Sequence, residues 1–291
     1  MKKYLFILLL FVSCQKNNNK SDAYGNFETD ETIISAEMTG KLIDFSLKQG
    51  DNVKEGELVA IVDTTYTYLQ IKELEAQLQS VATKKVNVHS QADIIREQIS
   101  NIKIEQERVA KMFSDKAATQ QQLDNVNGQM RVFEKQLSSM NTQFVSIDKE
   151  VEVLHARMAV LKESLSKCYI KSPLNGLVLE KYIEKGELVS PAKSIVKIAD
   201  ISSMDLRVYV SGQQLPSVKL GQQVEVLIDK DKKNNQSLKG EVSWISSSAE
   251  FTPKIIQTKE ERVKLVYAVK IRVKNDGQLK IGMPAEVNFS D

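Results

Sequence analysis

Between Tyr66 and Lys167 the chain has no proline and a single glycine, Gly128, so nothing in that stretch interrupts a helix. All five prolines come later. Cysteine is as scarce: Cys14 and Cys168 are the only two, and if the first is acylated, as argued below, no intramolecular disulfide can form. The two histidines, His89 and His155, have no cysteine or second histidine at ligand spacing, so a metal centre cannot be composed around them. There is no P-loop and no G-x-S-x-G elbow. Aromatics make up only 6%, and 40 basic against 38 acidic residues leave a net charge of +2 without a basic tract, which excludes the footprint of a nucleic-acid binder. The expectation is a protein with no catalytic residues, no cofactor and no metal.

What is present is a repeat that has been split. The segment Ser35 to Asp63 is echoed by Ser172 to Asp200, with Gly40 and Gly50 answered by Gly176 and Gly186, and Val53 by Val189. Each half alternates like strands, as in Leu42-Ile43-Asp44-Phe45 and Leu177-Val178-Leu179, and is too short to fold alone. The halves, 31–65 and 168–201, must therefore pair into one small sandwich.

Residues 66–167 between them form one long heptad pattern. Apolar residues step by fours and threes from Leu74 through Val81, Val88, Ala92, Ile95 and Ile102 to Phe113, with Lys85 and Gln106 filling two gaps. After a break at Ser114 to Thr119 the pattern resumes from Leu123 to Leu165. Folding the chain back at the break pairs Phe113 with Leu123, Ile99 with Leu137 and Leu74 with Leu161, and sets small Ala92 opposite Phe144. One antiparallel hairpin satisfies every pair. With roughly 48 residues per helix at about 1.5 Å each, it reaches roughly 70 Å. His89 and His155 fall on its flanks, and Cys168 on the apolar stripe reads as a buried, inert thiol. A rod of this length spans a distance, and its function lies in that length and in the tip, Arg108 to Asp124.

The N-terminus has Lys2 and Lys3, an apolar run from Tyr4 to Val12, and then Ser13-Cys14, which reads as a secretory signal (1–14) too short to span a bilayer. Residues 15–30 are expected to be a flexible tether. Beyond Asp200, short strands at Leu206–Val210, Val224–Ile228, Gly240–Ile245, Val263–Val273 and Ala285–Phe289 predict a barrel over 202–291, with the lone Trp244 in its core.

Several of these features carry a resemblance. The split sandwich is similar to a biotinyl or lipoyl carrier domain, with the rod where the hairpin bearing the modified lysine would be. From about residue 30 to the end the chain resembles the periplasmic adaptors, or membrane fusion proteins, of the HlyD family. Ser13-Cys14 resembles a lipobox, with Phe11 where leucine is usual, implying acylation of Cys14. The stretch Glu250-Phe251-Thr252-Pro253, with Gln257 to Val263 and Tyr267-Ala268-Val269, looks like a signature of the branch paired with ABC-type exporters.

The fold so implied is α+β: a lipoyl-like barrel-sandwich hybrid with an inserted coiled-coil hairpin, followed by a barrel. The implied function is that of an adaptor joining an inner-membrane transporter, an ABC permease and ATPase, to a TolC-like outer-membrane channel. It would be anchored in the inner membrane by lipid and assembled as a ring, commonly of six. The end of the chain directly after the barrel favours an ABC partner over a proton-driven one. Adaptors that meet such channels carry an arginine, a leucine four residues on and a serine seven beyond that; here Arg108, Met112 and Thr119 stand in those places, keeping an apolar side chain and a hydroxyl. The alternative for Arg108 is that it merely caps or solvates the helix end, and the alternative for the whole chain is a structural lipoprotein whose rod bridges envelope layers.

Overall fold

A computed structural model describes residues 21–231, 234–251 and 265–289. Cys14, the signal segment and the first part of the tether lie outside the described residues, as do Thr252 to Lys264 of the exporter-branch signature.

In chain order the first strands are β1 (Ala23–Glu28), β2 (Glu31–Ser35), β3 (Gly40–Asp44), β4 (Asn52–Val53) and β5 (Leu58–Val62). Two helices follow, α1 (Thr65–Ser114) and α2 (Gln120–Lys167). The chain then makes β6 (Tyr169–Lys171), β7 (Gly176–Lys181), β8 (Leu188–Val189) and β9 (Ser194–Ala199). The last strands are β10 (Ser203–Ser211), β11 (Gln223–Asp229), β12 (Asn235–Ile245), β13 (Glu250–Phe251), β14 (Leu265–Lys274) and β15 (Pro284–Asn288).

The split repeat becomes two four-stranded sheets, β2-β9-β7-β4 and β6-β5-β3-β8, each drawing two strands from either half. Their symmetry is that of the sequence. Gly40 pairs with Val189 and Gly176 with Val53, so the same glycine–valine pairing between the two copies occurs twice, once in each direction. Gly50 donates its amide to Val178, and Gly186 to Leu42, both with the positive φ that the turns require. Ile195, Ile198, Leu42 and Val62 are fully buried between the sheets. Neither half could enclose these side chains alone.

The rod leaves the sandwich between β5 and β6. Asp63 accepts from the Thr65 amide at 2.9 Å and so marks the start of α1, where Thr64 makes no side-chain cap. Its hydrogen bonds to Thr65, the hydroxyl first, hold the carboxyl below the usual carboxylate range. That link is therefore fully present above the ordinary range and is lost only as pH falls through the lowered value.

Along the hairpin Ile71, Leu74, Val81 and Val88 bury against Ile147, Leu154 and Met158, and Ala92 is completely enclosed. Lys85 sends its ammonium to Asp148 on the other helix at 2.6 Å, while Lys84 meets Glu150 at 2.9 Å. Gln106 bonds Asn127 across the seam at 2.7 Å. Both polar seam positions are thus satisfied from the opposite helix. Cys168 closes the rod, buried, its thiol pushed up by desolvation and then by the nearby Asp63 charge.

The third unit is a barrel, and here the structure departs from the sequence reading in two places. Residues 15–30 are not all tether, because Ala23–Glu28 form a strand that pairs with β10 on one side and β15 on the other. The order β10-β1-β15-β11-β12-β14 closes by pairing of β10 with β14, so β1 is the sixth stave, and β13 adds to β14 outside the ring. Ala23 and Phe27 point into the core beside Leu206, Ile271 and Leu279.

Trp244 is not in that core; it is 41% exposed. A bulge between Val242 and Trp244 inserts one residue, so that Val242 opposes inward Ile271 while Trp244 opposes outward Lys270. Alternation counted straight through the bulge gives the wrong face.

The barrel and the rod lie at opposite ends of the sandwich. Thr29 Oγ1 donates to the Asp200 carbonyl and Asn275 N to Ser202, where the two β units join. Lys167, at the foot of the rod, pairs with Glu37 at 3.3 Å, beyond the other end of β2. The tip therefore points away from the barrel. Among the described residues no helix is long and apolar enough to cross a membrane.

Candidate functional site: the hairpin tip

The seam that holds the two helices together runs out at the tip. Phe113, expected to pack on Leu123, remains 37% exposed because no further turn of either helix covers it. Met112 beside it is 41% exposed. The turn is tight: Lys116 adopts φ 63°, its amide bonds the Phe113 carbonyl at 3.0 Å, and the Ala117 amide bonds that of Met112 at 2.7 Å. Ser114 Oγ donates to Lys111 O at 2.7 Å, so the last carbonyls of α1 are satisfied within the turn itself.

Arg108 and Met112 lie four residues apart on the same face of α1, which puts a guanidinium and a thioether side by side on the exposed flank. Arg108 does not cap the helix. It stands six residues before Ser114, exposed, with its guanidinium paired to Glu105 one turn back. Its donors beyond that pair face solvent.

Thr119 is placed differently from the other two. It is the N-cap of α2: its hydroxyl accepts from Gln122 N at 3.3 Å, and the Gln122 side chain accepts from the Thr119 amide at 2.7 Å, a reciprocal capping box. Its hydroxyl is committed to the fold. Thr119→Ala should cost about 1 kcal/mol through loss of the cap, read as faster amide exchange in the first turn of α2, while Thr119→Ser should restore protection. The T-x-x-Q spacing from Thr119 to Gln122 was the sequence signal for this role. Phe113 was read only as seam, and its exposure had no signal beyond its place next to the break.

The histidines lie on the rod flanks, both exposed, His89 against Asp93 at 2.9 Å and edge-on to the Phe144 ring. Among the described residues no group of three or more histidine, cysteine, aspartate or glutamate side chains could hold a metal ion.

Comparison with known proteins supports the same architecture. The profile of the CzcB-like barrel-sandwich hybrid domain family matches residues 30–200, more than half of the chain. A UPF0194 membrane protein of Acidithiobacillus ferridurans is 25% identical over 292 residues, covering 91% of this chain and 86% of that protein. The corresponding protein of Yersinia enterocolitica is 24% identical, covering 91% and 88%. Among solved structures, MacA from Actinobacillus actinomycetemcomitans superposes with a TM-score of 0.66 at 22% identity, over 91% of this chain and 76% of that one. The membrane fusion protein Spr0693 from Streptococcus pneumoniae superposes at 0.53 and 17% identity, over 92% and 98%. The chain therefore belongs to the CzcB-like barrel-sandwich hybrid domain family and shares the fold of MacA and of the membrane fusion protein Spr0693.

Proposed function

We propose that this protein is a lipid-anchored periplasmic adaptor of an efflux or secretion system, joining an inner-membrane ABC-type exporter to a TolC-like outer-membrane channel. The observation that carries the reading is the rod. Its apolar seam is consumed internally, it points away from the barrel, and it ends in an exposed patch of Arg108, Met112 and Phe113. An arginine with free donors can engage the carbonyls of a partner hairpin while the adjacent apolar pair fills a notch in it. Thr119 contributes by fixing the start of α2, and through its hydroxyl only where a partner displaces the cap. Cys14 carries the anchor, and several copies, six in the resemblance, stand side by side with tips level.

The chain has no nucleotide-binding motif, so energy comes from a partner. Resemblance of the stretch from Glu250 to Val269 to the exporter-associated branch favours an ATPase over a proton-driven pump. Affinity purification from membranes in mild detergent tests this. A co-purifying multi-span permease with its ATPase is expected. Recovery of a proton-driven pump instead, or of no transporter, contradicts it, and the second outcome leaves a structural lipoprotein that bridges envelope layers.

A further inference from the structure

The end of the barrel remote from the rod is defined by where β1 begins. Ser21 Oγ donates to Glu286, the Asp22 amide bonds Val287 O at 3.0 Å, Gln214 Nε2 donates to Asp22 O at 2.8 Å, and Phe289 N donates to Asp22 Oδ2 at 2.9 Å. The chain is thus tied into the barrel from Ser21 onward. Only 15–20 remain between that knot and Cys14. Seven residue steps span at most about 25 Å.

One loop is knotted to the same point. It runs from the end of β10 to the start of β11 and is braced by Ser211 N to Gln214 Oε1 at 3.0 Å, besides the Gln214 bond to Asp22. Val218 turns inward, and the next residues form a tight turn: Gln222 N bonds Lys219 O at 3.1 Å, Lys219 N bonds Gln222 Oε1 at 2.9 Å, and Gly221 takes φ 79°. Gly221 N is pinned to Val242 O at 2.9 Å. At the corner of this rigid turn Leu220 is 70% exposed, next to Lys219. From Ser211 to Gln223 the sequence has no carboxylate, in a chain that carries 38 acidic residues.

We infer that this loop rests on the phospholipid bilayer, with Leu220 entering the boundary between headgroups and acyl chains and Lys219 meeting phosphate. The inference rests on the proposed acylation of Cys14, because that short tether brings the barrel end to the surface. A leucine held outward on a braced turn, with a cation beside it and no carboxylate within the loop itself, has the chemistry of an interfacial contact. The surface contact fixes the tilt of the barrel, and through it the direction of the rod, which attachment at a single point leaves free.

The test uses the full acylated chain carrying Leu220→Cys, labelled with an environment-sensitive fluorophore and reconstituted into phosphatidylethanolamine–phosphatidylglycerol liposomes. Cys168 is buried and stays unlabelled. A second variant, Leu188→Cys, places the label on an exposed position of the sandwich as reference. The label at 220 is expected to shift to the blue on liposome binding and to be quenched several-fold more by headgroup nitroxide lipid than the label at 188. Equal, water-like emission at both positions in protein that floats with the liposomes overturns the inference and leaves the anchor standing. A blue shift at 220 that nitroxide lipid does not quench also overturns it, since the contact is then with protein. Failure of the acylated preparation to float overturns the anchor, and with it this inference.

Discussion

Gly25→Ala should lower barrel stability by about 2–4 kcal/mol, one of the largest effects available from adding a single methyl group. An ideal Cβ at Gly25 would lie 1.8 Å from the Arg207 carbonyl oxygen and 2.6 Å from its carbon. Both are backbone atoms of β10, so no rotamer change can relieve the overlap; the strands must part. Gly25 pairs with Val208 on one side and Ala285 on the other, in the middle of the strand that joins β10 to β15. Moving it disturbs both ladders and the burial of Phe27. In a barrel of this size each kcal/mol moves the midpoint by roughly 4–8 °C.

The same substitution at Gly128 should have the opposite sign. There an added Cβ finds only the end of the Arg131 side chain, at 3.8 Å, and the position is helical. Gly128→Ala should stabilise α2 by about 0.5–1 kcal/mol through helix propensity alone. Denaturant melts of both variants decide the matter. Unchanged barrel stability in Gly25→Ala would mean that β1 does not close the barrel.

Met112→Glu should abolish export while leaving the rod intact. The side chain is part-exposed on the flank beside the seam, so the substitution changes stability by no more than about 0.5 kcal/mol, and helicity and melting should match the parent. At a partner surface the same change places an acid in an apolar notch, which even in its neutral, protonated form costs about 1–3 kcal/mol per contact. That is up to about two orders of magnitude in affinity per tip, and in a ring the loss is repeated at each copy. Met112→Leu keeps the apolar volume and should retain export. Arg108→Ala should weaken it less, since part of the guanidinium's hydrogen bonding is already spent on Glu105. Normal export by Met112→Glu would remove the tip from the contact surface.

The rod was legible because heptad spacing over about a hundred residues overdetermines it: a shift of one residue anywhere would carry Val81, Val88 and Leu154 out of the buried seam. The split sandwich was legible because its two-fold symmetry is written twice, in Gly40 and Gly176 and in Val53 and Val189. β1 was not legible. Its six residues, AYGNFE, contain only two core side chains, Ala23 and Phe27, four apart, around a glycine that reads as flexibility when its real cause is the close approach of β10. Trp244 was misplaced because a bulge changes the parity of a strand without changing its composition.

At the tip, Arg108, Met112 and Thr119 were found through resemblance. Spacing alone gives Thr119 a structural role, and Phe113 acquires its exposure only from where the seam ends. Cys14 is legible as a motif alone.

The most direct test of the adaptor reading is made at the tip, in cells. A photo-reactive residue is placed at Met112 or Thr119, irradiated, and the captured protein is identified by mass spectrometry. Capture of an outer-membrane channel protein is predicted, and would establish the partner and the direction of the rod together. Capture of nothing but further copies of this chain, with no exporter recovered alongside, would contradict the reading and leave a lipoprotein whose rod bridges the envelope on its own.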